Sequence, residues 1–159
     1  MKRSVYIETT IPSFHCEVRA EPEMAFRRDI TRRWWEHERP GFDLCTSFLT
    51  LDELGNGEFP GKEDALRLLD GLHILEITGE VKSIANIYVR HQLMPGRDMA
   101  DALHIALAVY YRVDFLLTWN CRHLANPNKT RHFQVINGEM GYWSPIITTP
   151  DLLCAEEST

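Results

Sequence analysis

Short apolar runs alternate with longer amphipathic stretches along the chain. Ser4-Val5-Tyr6-Ile7-Glu8 predicts a first strand that closes on an acid. Further strands are expected at Phe42-Asp43-Leu44-Cys45-Thr46, Leu72-His73-Ile74-Leu75-Glu76, Asp114-Phe115-Leu116-Leu117-Thr118 and Pro145-Ile146-Ile147-Thr148. Runs this rich in Ile, Leu and Val suit a sheet covered on both faces. Between them the apolar positions take a helical period. Pro22 to Glu38 sets Met24, Ile30, Trp34 and Trp35 among charges, an amphipathic pattern. Ser47 is placed to N-cap a short helix through Leu54, which Gly55-Asn56-Gly57 stops. Lys62 to Asp70 predicts another helix, ended by Gly71, and Gly79 to Gln92 a further one, ended by Pro95-Gly96. Asp98 then caps Met99 to Tyr111, with Asp101 where a full capping box would have Glu or Gln. Alternating strands and helices imply βαβ units, right-handed crossovers and a parallel sheet. In such α/β sheets ligands sit beyond the carboxyl ends of the strands.

Composition narrows this picture. The 159 residues suit one domain over 1–159, with 44% hydrophobic and 25% charged content ordinary for a globular protein. Roughly the last eight residues are expected as a flexible tail. No apolar run approaches the roughly 20 residues needed to span a bilayer. The start, Met1-Lys2-Arg3-Ser4-Val5-Tyr6-Ile7-Glu8, reaches an acid too soon for a secretory signal, so a cytoplasmic protein is expected. Cys16, Cys45, Cys121 and Cys154 form no CxxC pair and are expected as reduced, mostly buried thiols. A net charge of −6 argues against a broad basic face for nucleic acid. It leaves room for a nuclease whose acids surround metal ions, because bound cations reverse the local sign.

Acids then become the candidates for chemistry. Glu8 ends the first strand, Glu53 lies on the helix after the second, and Asp98 and Asp101 begin the helix leading into the fourth. Asn120 follows that fourth strand. On the expected sheet these side chains could converge on one edge, and hard oxygen ligands completed by water are what Mg²⁺ or Mn²⁺ require. Each also has a structural alternative: Asp98 as an N-cap, Asp101 favoured by the helix dipole, Glu53 beside Asp52 on a solvated face. Glu8 has the weakest alternative, since acids are depleted in strands.

Order and surroundings carry more information than any one acid. Val5-Tyr6-Ile7-Glu8-Thr9-Thr10-Ile11-Pro12-Ser13-Phe14 resembles the opening of a PIN-domain branch that includes VapC-type toxins. Ser47-Phe48-Leu49-Thr50-Leu51-Asp52-Glu53-Leu54 is similar to that family's second motif, with its acid at Glu53. Asp101-Ala102-Leu103-His104-Ile105-Ala106-Leu107-Ala108 is similar to the third, with Asp101 as its acid. Leu116-Leu117-Thr118-Trp119-Asn120-Cys121-Arg122-His123-Leu124-Ala125-Asn126 resembles the fourth, and Ile147-Thr148-Thr149-Pro150 the closing segment. The third and fourth motifs at their mutual spacing are the specific part.

The resemblance implies a three-layer α/β/α fold around a mainly parallel sheet. It also implies metal-dependent cleavage of RNA leaving 5′-phosphate ends, a toxin of a type II toxin–antitoxin pair with a separate antitoxin protein, and a homodimer. Glu8, Glu53, Asp101 and Asn120 are then the expected catalytic residues, the first three as Mg²⁺ or Mn²⁺ ligands. Thr9, Thr10, Ser13, Asp98 and Thr118 are expected to position phosphate or metal-bound water, with satisfaction of turn backbone as the alternative. Two departures stand out: Glu8 where most of the family has Asp, and Asn120, an amide without charge, where many members have Asp. His104, in an apolar setting, reads as a buried, hydrogen-bonded structural residue, and His123 and Arg122 as phosphate contacts or plain surface. Arg27, Arg28, Arg32 and Arg33 form a basic stripe whose default is a solvated face. The rival reading is a catalytically weakened PIN-like module that binds RNA or protein. A different Mg²⁺-dependent phosphoryl-transfer enzyme would want an Asp-x-Asp or a phosphate-cradling glycine loop, and neither is present.

Overall fold

The computed structural model of the chain describes residues 1–91 and 99–155. Five parallel strands, β1 (Arg3–Ile7), β2 (Phe42–Ser47), β3 (His73–Leu75), β4 (Phe115–Leu117) and β5 (Ile146–Thr148), lie in the order β3-β2-β1-β4-β5. The helices are α1 (Thr10–His15), α2 (Pro22–Arg33), α3 (Phe48–Asn56), α4 (Lys62–Leu68), α5 (Gly79–Arg90), α6 (Met99–Tyr110) and α7 (Pro127–Met140).

Side chains on a strand alternate between the two faces. Val5 and Ile7 of β1, with Phe115 and Leu117 of β4, meet Ile11, Trp34, Leu54, Ala65 and Leu69 from the α1–α4 side. Tyr6 and Leu116 point the other way, into Val81, Ile84, Tyr88, Ile105 and Phe133 from α5, α6 and α7. The result is three layers, α/β/α, as the alternating pattern predicts.

The handedness of the crossovers explains which helices go where. The chain steps from β1 to β2 to β3 with α1–α4 on one face. It then returns past β1 to β4 and β5 with α5–α7 on the other. Reversing the direction of travel while keeping right-handed crossovers requires this change of face. The reversal leaves a crevice between the carboxyl ends of β1 and β4, where α/β sheets bind ligands.

Several expectations need correction. Two helices, α1 and α7, went unmarked by the hydrophobic pattern. On α7 only Phe133 and Asn137 are buried, so the apolar stripe is too thin to register. Its terminal signals are nonetheless present: Asn126 accepts from the Asn128 N–H, Pro127 opens the helix, and Gly141 ends it at a φ of 74°. The stretch from Pro22 is not one helix, because α2 widens into a π turn at Trp34–Glu38 and a 3₁₀ turn at Arg39–Gly41, where Pro40 offers no N–H. Ser47 stands at the start of α3 but makes no side-chain cap, its hydroxyl being bonded to Tyr6 instead. Cys121 and Cys154 are exposed, against the expectation of mostly buried thiols.

The expected tail is partly bound to the fold. Leu153 is buried, its carbonyl accepts the Trp34 Nε1–H at 2.9 Å, and the Ala155 N–H donates to Glu38 at 2.7 Å. Asp98, Gln92 and the Pro95-Gly96 stop lie outside the described residues. Among the described residues no helix is long and apolar enough to cross a membrane.

Trp34 anchors this closure, stacked on Phe42 at 5.9 Å between ring centroids. Trp34→Phe keeps an aromatic ring but orphans the Leu153 carbonyl, an expected loss of about 1–3 kcal/mol in urea unfolding. Trp34→Ala also opens a cavity and is expected to lose about 3–5 kcal/mol. A Trp34→Phe variant as stable as wild type would show that the hydrogen bond contributes nothing.

Candidate functional site

Glu8 follows β1 directly, beside the crevice, and is 4% exposed. A buried carboxylate is costly unless donors meet it. Here they do: the Thr10 backbone N–H donates at 3.0 Å, the Thr10 hydroxyl at 2.5 Å and the Thr118 hydroxyl at 2.7 Å, all to Oε1. Thr118 comes directly after β4, and its own N–H reaches the Thr148 carbonyl at 3.0 Å. Parallel pairing of β1 with β4 therefore delivers the Thr118 hydroxyl to the Glu8 carboxylate.

Glu53, on α3, is fastened in a similar way. Its Oε1 accepts from the Thr9 hydroxyl at 3.0 Å and from His104 Nε2 at 2.5 Å. Consecutive threonines thus serve two different carboxylates, Thr10 for Glu8 and Thr9 for Glu53. Among the described residues no donor meets Oε2 of either acid. Burial alone would push the Glu53 carboxyl up. The His104 hydrogen bond and charge, with Thr9, outweigh it and hold the group below its ordinary range.

His104 is fully buried, and its other nitrogen, Nδ1, lies 2.7 Å from the Tyr6 hydroxyl. That hydroxyl also meets Ser47 Oγ at 2.8 Å. Burial raises the Tyr6 phenol well above its ordinary range, so it stays protonated. Asp101 is half-buried in the first turn of α6, one helical turn ahead of His104.

The structure thus ties Glu8 to Thr10 and Thr118, and Glu53 to Thr9 and His104, with Asp101 on the helix that carries His104. It does not close these acids into a cage: among the described residues no group of three His, Cys, Asp or Glu side chains could hold a metal ion. Carboxylates repel at close range, and Glu8 and Glu53 are met by hydroxyl, backbone N–H and imidazole donors instead. The donor type nonetheless fits a hard cation. Mg²⁺ characteristically takes one or two carboxylates and fills its shell with water and substrate phosphate.

Thr9, Thr10 and Thr118 donate their hydroxyls to carboxylates, and two of them also satisfy backbone: Thr10 Oγ1 accepts the Trp119 N–H at 2.8 Å and Thr118 Oγ1 the Asn120 N–H at 2.9 Å. The Asn120 amide oxygen accepts the His123 N–H at 3.0 Å and caps the turn after β4, leaving one lone pair. Ser13 is half-buried on α1, and Asp98 lies outside the described residues. The basic stripe is largely occupied. Arg27 lies over Phe14 and Trp119 and donates to the Trp119 carbonyl, Arg32 donates to the His15 carbonyl, and Arg28 pairs with Asp29. Sequence reasoning did not connect Tyr6 and Ser47 to the site, although Tyr6 stood two residues before Glu8.

Residues 23–123 match the family described as PIN domain. No curated protein matches the chain by sequence. Among solved structures the chain is similar to one in the crystal structure of VapBC2 from Rickettsia felis bound to a DNA fragment from their promoter. The TM-score is 0.51 and the identity 14%, over 92% of this chain and 98% of that one. At that identity the likeness speaks for the fold.

The two threonine contacts differ in burial, and stability should report it. Thr118→Val removes a buried hydrogen bond to a charged group and is expected to cost about 1.5–3 kcal/mol in urea unfolding. Thr9→Val, at the exposed contact, is expected to cost less than about 1 kcal/mol. A larger loss for Thr9→Val would mean that Glu8 is held by something other than Thr118.

Proposed function

The chain belongs to the PIN-domain family, and from that premise we propose that it is a Mg²⁺- or Mn²⁺-dependent endoribonuclease of the VapC toxin type. The observation that supports this most is the pair of carboxylates by the crevice, each fastened by these contacts through Oε1 alone. In this reading Glu8, Glu53 and Asp101 hold the cation, and Asn120 uses its remaining lone pair on cation-bound water. Such an ion, when bound, supplies a water of lowered pKa and positive charge against the phosphate oxygens. The protein's own part is positional. Thr10 and Thr118 orient Glu8, Thr9 and His104 orient Glu53, and Ser13 on α1 is a phosphate contact.

The substrate is RNA, cleaved by phosphodiester hydrolysis to leave a 5′-phosphate. The likeness to VapBC2 supports a separate antitoxin protein as partner, and the family resemblance supports a homodimer acting in the cytoplasm. A net charge of −6 fits substrate held through cation-bridged phosphate more than through a basic surface.

Incubation of single-stranded RNA with Mn²⁺, followed by mapping of the new ends, tests the reading. Wild type is expected to yield 5′-phosphate ends and to arrest growth on expression. Asp101→Asn and Glu8→Gln are expected to lose at least about a hundredfold in rate, with the circular dichroism of Asp101→Asn unchanged. Undiminished cleavage by Asp101→Asn would remove the carboxylates from the reaction. RNA binding without cleavage by wild type would favour the binding-module reading.

A further inference from the structure

Four polar side chains run in an unbroken line beneath the site. Ser47, at the end of β2, Tyr6, on β1, and His104, on α6, are all completely buried, and the line ends on Glu53 at the protein surface. The links measure 2.8 Å, 2.7 Å and 2.5 Å in that order. Buried polar groups are matched donor to acceptor. The Glu53 carboxylate accepts from His104 Nε2, and the Tyr6 hydroxyl joins His104 Nδ1 to Ser47 Oγ. Thr50, 3.4 Å from the Tyr6 oxygen and from the Ile7 carbonyl, flanks the same hydroxyl.

We propose that Ser47, Tyr6 and His104 form a positioning relay that fixes the orientation of the Glu53 carboxylate and thereby sets how tightly the site holds a divalent cation. The inference rests on the reading of Glu53 as a cation ligand. His104 is a positioning residue rather than a base. Both ring nitrogens are engaged and the ring is sealed from solvent, so substrate cannot reach it. The relay explains why Ser47 does not cap α3, because its hydroxyl serves Tyr6. It also couples two acids, since the helix that presents Asp101 is the one whose imidazole holds Glu53. Groups that orient a metal ligand through its second oxygen or nitrogen typically matter tenfold to a hundredfold in affinity.

Calorimetric titration of Mn²⁺ into the full chain tests this without reference to cleavage. Four variants are compared with wild type: Tyr6→Phe, His104→Phe, His104→Gln and Glu53→Gln. Tyr6→Phe keeps the ring but breaks the links to Ser47 and His104, and His104→Phe breaks those to Tyr6 and Glu53. His104→Gln keeps an N–H at the Nε2 position. Tyr6→Phe and His104→Phe are expected to weaken Mn²⁺ binding by about tenfold to a hundredfold, and His104→Gln to recover most of that loss. Thermal melting of each variant confirms that it is folded during the titration. Two results would overturn the relay while leaving Glu53 a ligand. In the first, Glu53→Gln weakens binding but Tyr6→Phe and His104→Phe do not. In the second, His104→Gln is as weak as His104→Phe, which would reduce the imidazole to packing. Wild-type affinity in Glu53→Gln would instead reject the ligand reading, and the relay with it.

Discussion

A carboxylate held at the end of a central strand, almost out of contact with water, sets the terms for everything around it. Glu8 has to be met by donors, and the donors come from the segment just after it and from the end of the neighbouring strand. That neighbour is β4 and not β2 because the chain reverses its direction of travel across the sheet at β1. Right-handed crossovers put α1–α4 on one face and α5–α7 on the other, and the crevice opens where the two sets part. Topology and chemistry are therefore one constraint: the place where the sheet can admit a ligand is the place where the buried acid is held.

Around that point the polar groups are economical. Thr9 and Thr10, adjacent in sequence, turn to different acids, so one short segment orients both Glu8 and Glu53. His104 serves Glu53 from beneath, and Tyr6 serves His104. Each carboxylate keeps one oxygen unused by these contacts. Such a site is suited to a cation that retains water and recruits a phosphate, and less to one that requires a complete protein cage. Among the described residues no third acid closes a cage, and a cation that keeps its water does not require one.

Much of the architecture was legible because strands and helices that cover a parallel sheet carry strong periodic signals. All five strands fall within two residues of their expected bounds. The misses have particular causes. On α7 the capping residues are present, but Asn137 occupies a buried position on the stripe that a hydrophobic residue would have marked. The six residues of α1 are too few for a period to register. At the site, the acids were visible by residue type and their order matched a known motif series. The partners of those acids were not visible, since a threonine hydroxyl reads as a turn residue until folding shows what lies across from it. In the sequence Tyr6 is only a strand residue; the structure shows where its hydroxyl ends.

The central claim is that the crevice between β1 and β4 is a divalent-cation site built on Glu8 and Glu53. Anomalous diffraction at the manganese edge, from crystals grown with Mn²⁺, addresses it directly. The account predicts a peak within bonding distance of Oε2 of Glu8 or Glu53, with water completing the shell. A well-occupied peak elsewhere in the molecule, with the crevice holding only solvent, would contradict it.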